Sequence, residues 1–134
     1  MAEIKRFEDV EAWQKARQLV GDIYEVTSVG LFAKDFGLRD QVRRAAVSIM
    51  SNIAEGFERG GDKEFMHFLS VAKASCAEVR SQLYVALDQE YLKAEEFRSI
   101  SDQATQIGKL IGGFIRYLKQ SDLRGSKYLI ASKP

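Results

Sequence analysis

Ser48, Asn52 and Glu55 stand three or four residues apart within Gln41–Arg59, QVRRAAVSIMSNIAEGFER, and Arg43, Arg44 and Arg59 flank them. Positions at that spacing share one face of an α-helix. A hydroxyl, a carboxamide and a carboxylate in a row, with guanidinium groups at either end, can grip a phosphate or seat a neighbouring protein surface. An ordinary outer face carries scattered charge, so a row of short polar groups is expected to meet something other than bulk water. Glu55 and Arg59, at i,i+4, also make an ordinary surface ion pair worth a few tenths of a kcal/mol. Asp35, Asp40 and Glu55 dilute the arginines, so a solvated face or a subunit interface ranks ahead of nucleic acid. A buried carboxylate needs a partner. Asn52 and Glu55 are therefore expected to be at least partly buried, with Arg59 beside Glu55, or Arg44 of another copy.

The remaining reactive side chains offer little chemistry. His67 is the only histidine and Cys76 the only cysteine, too few for a histidine/cysteine zinc site. Glu64-Phe65-Met66-His67 has the Glu-x-x-His spacing of metal-binding bundles, but those need two copies and this chain has one. Cys76 lies between Ala72 and Val79 in an apolar stripe, as a structural thiol does. Ser48 and Ser75 have no base placed to activate them. Gly108, Gly112 and Gly113 follow no strand, so they are not a nucleotide fingerprint. With Ala104, Gly108 and Gly112 form a small-residue ridge suited to close helix approach. No catalytic, metal or cofactor site is expected, and the chain reads as non-enzymatic.

The elements that position these residues are helical. The only proline is Pro134, so nothing in the body of the chain forbids long helices. The first helix is expected over about 9–27, capped by Glu8 or Asp9, with Phe7 stapled onto its first turn. Its stripe is Val10, Trp13, Ala16, Val20, Ile23 and Tyr24. Ser28–Gly37 breaks the periodicity as a loop, with Phe32 and Phe36 covering one end of the core. The second helix, about 38–59, buries Val42, Ala45, Ala46, Ile49, Ile53 and Phe57 and stops at Gly60-Gly61. Asp62 caps a third helix over 63–88, and a short turn leads into a fourth over 94–119. The fold class is all-α, an up-down-up-down antiparallel four-helix bundle over residues 1–120. Residues 121–134, SDLRGSKYLIASKP, are expected to form a flexible tail.

Composition bounds the rest. A chain of 134 residues with 46% hydrophobic and 29% charged residues fits one soluble domain with a full core. A net charge of +1 falls short of the basic excess of a dedicated duplex binder. A lone cysteine suits a reducing cytoplasm, and neither a signal peptide nor a membrane span is expected.

The same segment carries a family pattern. Gln41-Val42-Arg43-Arg44-Ala45, followed by Ser48-Ile49-Met50-Ser51-Asn52-Ile53-Ala54-Glu55-Gly56, resembles the four-helix-bundle proteins encoded in intervening sequences of bacterial 23S ribosomal RNA. Phe7-x-Asp9-x-x-x-Trp13 and Phe65-x-x-Phe68-Leu69-x-x-Ala72-x-x-Ser75 with Glu78 extend the likeness over about residues 7–119. Met50 stands where that family commonly has proline, which implies a straighter second helix here. The resemblance implies a homo-oligomer, typically a ring of five, with no established enzymatic activity. A related branch, the accessory variability determinants of diversity-generating retroelements, is strongly basic and binds a reverse transcriptase and nucleic acid.

Two functions follow as expectations. The first is a homo-oligomeric scaffold or interaction protein, because Met50, Met66, Tyr84, Val85, Leu110, Ile115 and Tyr117 exceed what one bundle buries. The second is a nucleic-acid-binding accessory factor, in which a ring repeats a modest basic patch.

Overall fold

Each long helix begins and ends where its sequence permits. The computed structural model describes residues 4–123. A 3₁₀ turn at Phe7–Asp9 precedes α1 (Glu11–Val26), α2 (Gly30–Lys34), α3 (Phe36–Glu58), α4 (Asp62–Asp88) and α5 (Ala94–Leu123). Asp35 caps α3 by accepting from the Leu38 backbone N–H at 3.1 Å. Gly60, at φ +88°, supplies the left-handed residue that ends α3. Glu90 takes the same conformation at φ 64° after α4. There the Tyr91 N–H reaches back to the Ala86 carbonyl at 2.8 Å.

α1 packs on α3 and α5, α3 on α4, and α4 on α5, so the four long helices close into an antiparallel square. This is the all-α up-down-up-down bundle expected from periodicity. The second-helix stripe is also as read: Val42, Ala45, Ala46, Ile49 and Ile53 are buried, and Phe57 packs against the core half-buried. α3 runs unbroken through Met50, where proline would have removed a ladder hydrogen bond.

Several expectations are corrected. Asp9 does not cap α1; Val10 holds that position without a side-chain hydrogen bond. The Asp9 carboxylate turns back to accept from the Lys5 and Arg6 N–H groups at 3.0 and 3.3 Å. Chiefly the Lys5 hydrogen bond holds it below the usual carboxylate range. The stripe of α1 centres on Ala12, Ala16, Leu19 and Ile23. Trp13 and Val20 are half-buried and Tyr24 is exposed. The reason is that α1 meets two helices at once; the small Ala12 and Ala16 point inward, and the larger rings lie at its flanks. Phe7 does pack on Trp13, with ring centroids 5.2 Å apart. The loop after α1 contains the short α2, whose Phe32 is buried while Phe36 stays exposed. Asp62 is the first residue of α4, with Gly61 in the cap position. α5 continues to Leu123, so the expected tail loses its first three residues to the helix. The remainder of that tail, 124–134, lies outside the described residues.

Candidate functional site

Helix α3 carries Ser48 and Asn52 to the seam with α4, where Ser75 meets them. Ser48 Oγ and Ser75 Oγ lie 3.0 Å apart in a shared hydrogen bond. The Asn52 side-chain amide donates to the Ser48 carbonyl at 2.8 Å and to Ser48 Oγ at 2.9 Å. Ser75 is buried, and Ser48 and Asn52 are half-buried. Asn52 is thus partly buried as expected, but its partners lie within its own chain. The three polar groups satisfy one another, which fixes the register of α3 against α4 without exposing a reactive group.

One turn further, Gly56 lets the two helices touch. A Cβ on Gly56 would stand 2.7 Å from Phe68 Cβ and 3.0 Å from Phe65 Cδ1. Neither neighbour can swing away freely, because Phe68 Cβ is fixed to the backbone and Phe65 is buried against Phe57 and Phe114. The glycine that closes the family pattern is therefore a packing requirement.

Glu55 is not buried by its own chain. It is exposed in the single chain and pairs with Arg59 at 2.8 Å, with side chains 53% and 47% accessible. The arginine partner is the expected one, and no helix of the same chain covers the carboxylate because α3 turns that edge outward. Arg59 also lies over the Phe68 ring at 4.9 Å. Its guanidinium is raised above its ordinary value mainly by the Glu55 hydrogen bond.

Arg43 and Arg44, adjacent in sequence, have different fates. Arg43 donates to Thr27 Oγ1 at 2.8 Å and Ser28 Oγ at 3.1 Å, and lies over the Tyr24 ring at 4.4 Å. It ties α3 to the end of α1. Arg39 is likewise engaged, by Asp40 and by the Ala33 carbonyl. Arg44 is exposed and, among the described residues, has no hydrogen bond or ion pair. It lines an open groove of about 540 Å³ with Arg43 and Ser48 and with Tyr24, Asp40, Val47 and Ser51. Arg43 and Arg44 thus share one groove, Arg43 held there by Thr27 and Ser28 and Arg44 unengaged among the described residues, while Arg59 pairs with Glu55 outside it.

Cys76 is buried beneath α5, and that burial pushes its thiol up to about 12. His67 is exposed, its ring edge-on to Phe68 at 5.4 Å. Among the described residues, no three His, Cys, Asp or Glu side chains are grouped to hold a metal ion. Among those residues, no helix is long and apolar enough to cross a membrane.

Four long helices joined by short connections, with a satisfied polar seam and a glycine contact between two of them, define a helical-bundle protein. The comparisons assign the family. The family model described as 23S rRNA-intervening sequence protein matches residues 8–113, and the chain belongs to that family. The fold is similar to a crystal structure from Bacteroides thetaiotaomicron VPI-5482, described as a protein of unknown function from the S23 ribosomal protein family. That likeness has a TM-score of 0.73 at 24% identity and covers 78% of this chain and 95% of the other. A comparison with curated proteins finds no match.

Proposed function

We propose that this protein is a non-catalytic helical scaffold that assembles with copies of itself, a ring of five being what the family resemblance implies. The observation that carries this reading is the distribution of exposed apolar side chains. Of the seven residues read from sequence as surplus, Met50, Met66, Leu110, Ile115 and Tyr117 pack half-buried against the core, and only Tyr84 and Val85 remain exposed. Apart from Val47 and Val71 in mid-helix, the exposed large apolar side chains lie towards one end. Tyr24 ends α1, Val29 and Leu31 follow it, Phe36 opens α3, and Tyr84 and Val85 end α4. Antiparallel topology brings all six to the same end of the bundle. Val29, Leu31 and Phe36, all in the connection from α1 into α3, are 65%, 62% and 64% accessible, with the Arg39 guanidinium over the Phe36 ring at 4.7 Å. Scattered apolar residues are normal on a soluble surface, whereas a gathered set marks an interface.

Charge reversal at this end tests the reading. In Leu31→Glu/Phe36→Glu, neither wild-type side chain contributes to the core, so melting should be little changed while light scattering reports a fall in mass. A variant that keeps the wild-type oligomer would move the interface elsewhere.

A further inference from the structure

The seam between α4 and α5 is unlike the rest of the surface. Gly108, Gly112, Ala77 and Ala104 keep its floor low, leaving a groove of about 670 Å³. That volume lies in the range of small-ligand pockets, about 300–1,000 Å³. Its charged lining is Lys73 and Arg80 from α4 and Lys109 and Arg116 from α5, with no carboxylate. Among the described residues, none of these four cations has a hydrogen bond or ion pair, unlike Arg39, Arg43 and Arg59. Two of them converge: a Cβ on Gly112 would stand 3.9 Å from Lys73 Nζ and 3.7 Å from an Arg116 guanidinium nitrogen. Like charges crowded over one glycine without a counter-charge raise the local potential and favour an anion there. The floor adds no negative charge, since buried Cys76 stays a neutral thiol.

We propose that the α4–α5 groove binds a short polyphosphate chain, of the kind carried by a nucleoside triphosphate or by inorganic tripolyphosphate. Lys73 and Arg116 hold one end of the chain, and Lys109 and Arg80 follow along the groove. Residues seven apart on one helix are about 10 Å apart, which suits a few linked phosphates rather than a long track. Thr105 adds a neutral hydroxyl at the rim, whereas the Ser70 hydroxyl already donates to the His67 carbonyl at 2.7 Å. A nucleic-acid strand is the less favoured occupant. The lining holds no aromatic side chain on which bases could stack, and the net charge of the chain is only +1. The groove lies away from the apolar end, so this proposal goes beyond self-assembly and does not depend on it.

Titration calorimetry of the full chain at low ionic strength, without divalent metal, tests the site with tripolyphosphate, ATP and a mixed-sequence single-stranded oligonucleotide as probes. Tripolyphosphate should bind once per chain, and Lys73→Glu/Arg116→Glu should weaken it more than 10-fold. Lys63→Glu/Arg98→Glu, with the same change in net charge on exposed residues outside the groove, should leave it within about twofold. Gly112→Met fills the floor without altering charge and should weaken binding as strongly. Circular dichroism establishes folding of each variant, and the two double variants decide the matter if Gly112→Met does not fold. Tighter binding of ATP assigns the groove to a nucleotide, and equal binding assigns it to the phosphate chain alone. Absence of tripolyphosphate binding, equal losses in both double variants, or binding by the oligonucleotide alone would each overturn the proposal. Light scattering on the same samples separates this outcome from any failure of assembly.

Discussion

Ser48, Asn52 and Glu55 look equivalent in the sequence, yet only the first two are drawn into the half-buried α3–α4 seam. Ser48→Ala should cost about 1–3 kcal/mol, because the half-buried Asn52 amide and the buried Ser75 hydroxyl lose a shared partner. Glu55→Ala should stay within about 0.5 kcal/mol in the isolated chain, as at other exposed pairs. Urea melts of both variants check this contrast. Cys76 gives a second contrast. Its thiol is raised from 9.0 to about 12 by burial, so it stays protonated in the fold when an unfolded thiol would ionise. The stability this contributes is present below pH 9 and is lost as pH rises towards about 12. A disulfide reagent at pH 8 should therefore leave native Cys76 unmodified and modify it fully in denaturant. Sequence spacing showed that the polar row shared a face. It could not show that Ser75, 27 residues away, would complete the cluster, because that contact exists only once α3 and α4 pack.

The α3–α4 pair shows how much an element conveys on its own. Periodicity located the buried stripe of α3 almost residue for residue, since one dominant apolar face leaves a single way to bury it. α1 was read a fraction of a turn out, because Trp13 and Tyr24 look like core residues although Ala12 and Leu19 face inward. Propensity and size do not tell which of two neighbours a helix will approach closely. Gly56 makes the point energetically. Gly56→Ala brings a methyl to 2.7 Å from Phe68 Cβ and must push α4 away. The loss should be about 1–3 kcal/mol, although alanine favours a helix by about 1 kcal/mol. A thermal melt that shows Gly56→Ala equal to or more stable than wild type would mean that the two helices are not in this contact.

At the scale of the whole molecule, the bundle separates its surfaces. One end exposes Val29, Leu31 and Phe36, while the α4–α5 groove gathers unpaired cations. Length, lack of internal proline and short connections made the four-helix class legible. The apolar end was not, because residues 28–37 read simply as a loop and Phe36 as a cover for the core. The groove was missed for a related reason: Lys73 with Arg80, and Lys109 with Arg116, are ordinary pairs on separate helices until antiparallel packing sets them side by side. Self-assembly is the central functional claim, and the native mass of the wild-type chain at micromolar concentration tests it most directly. Multi-angle light scattering should give a single species about five times the 15.1 kDa of one chain. A single species of 15.1 kDa across that concentration range would contradict it.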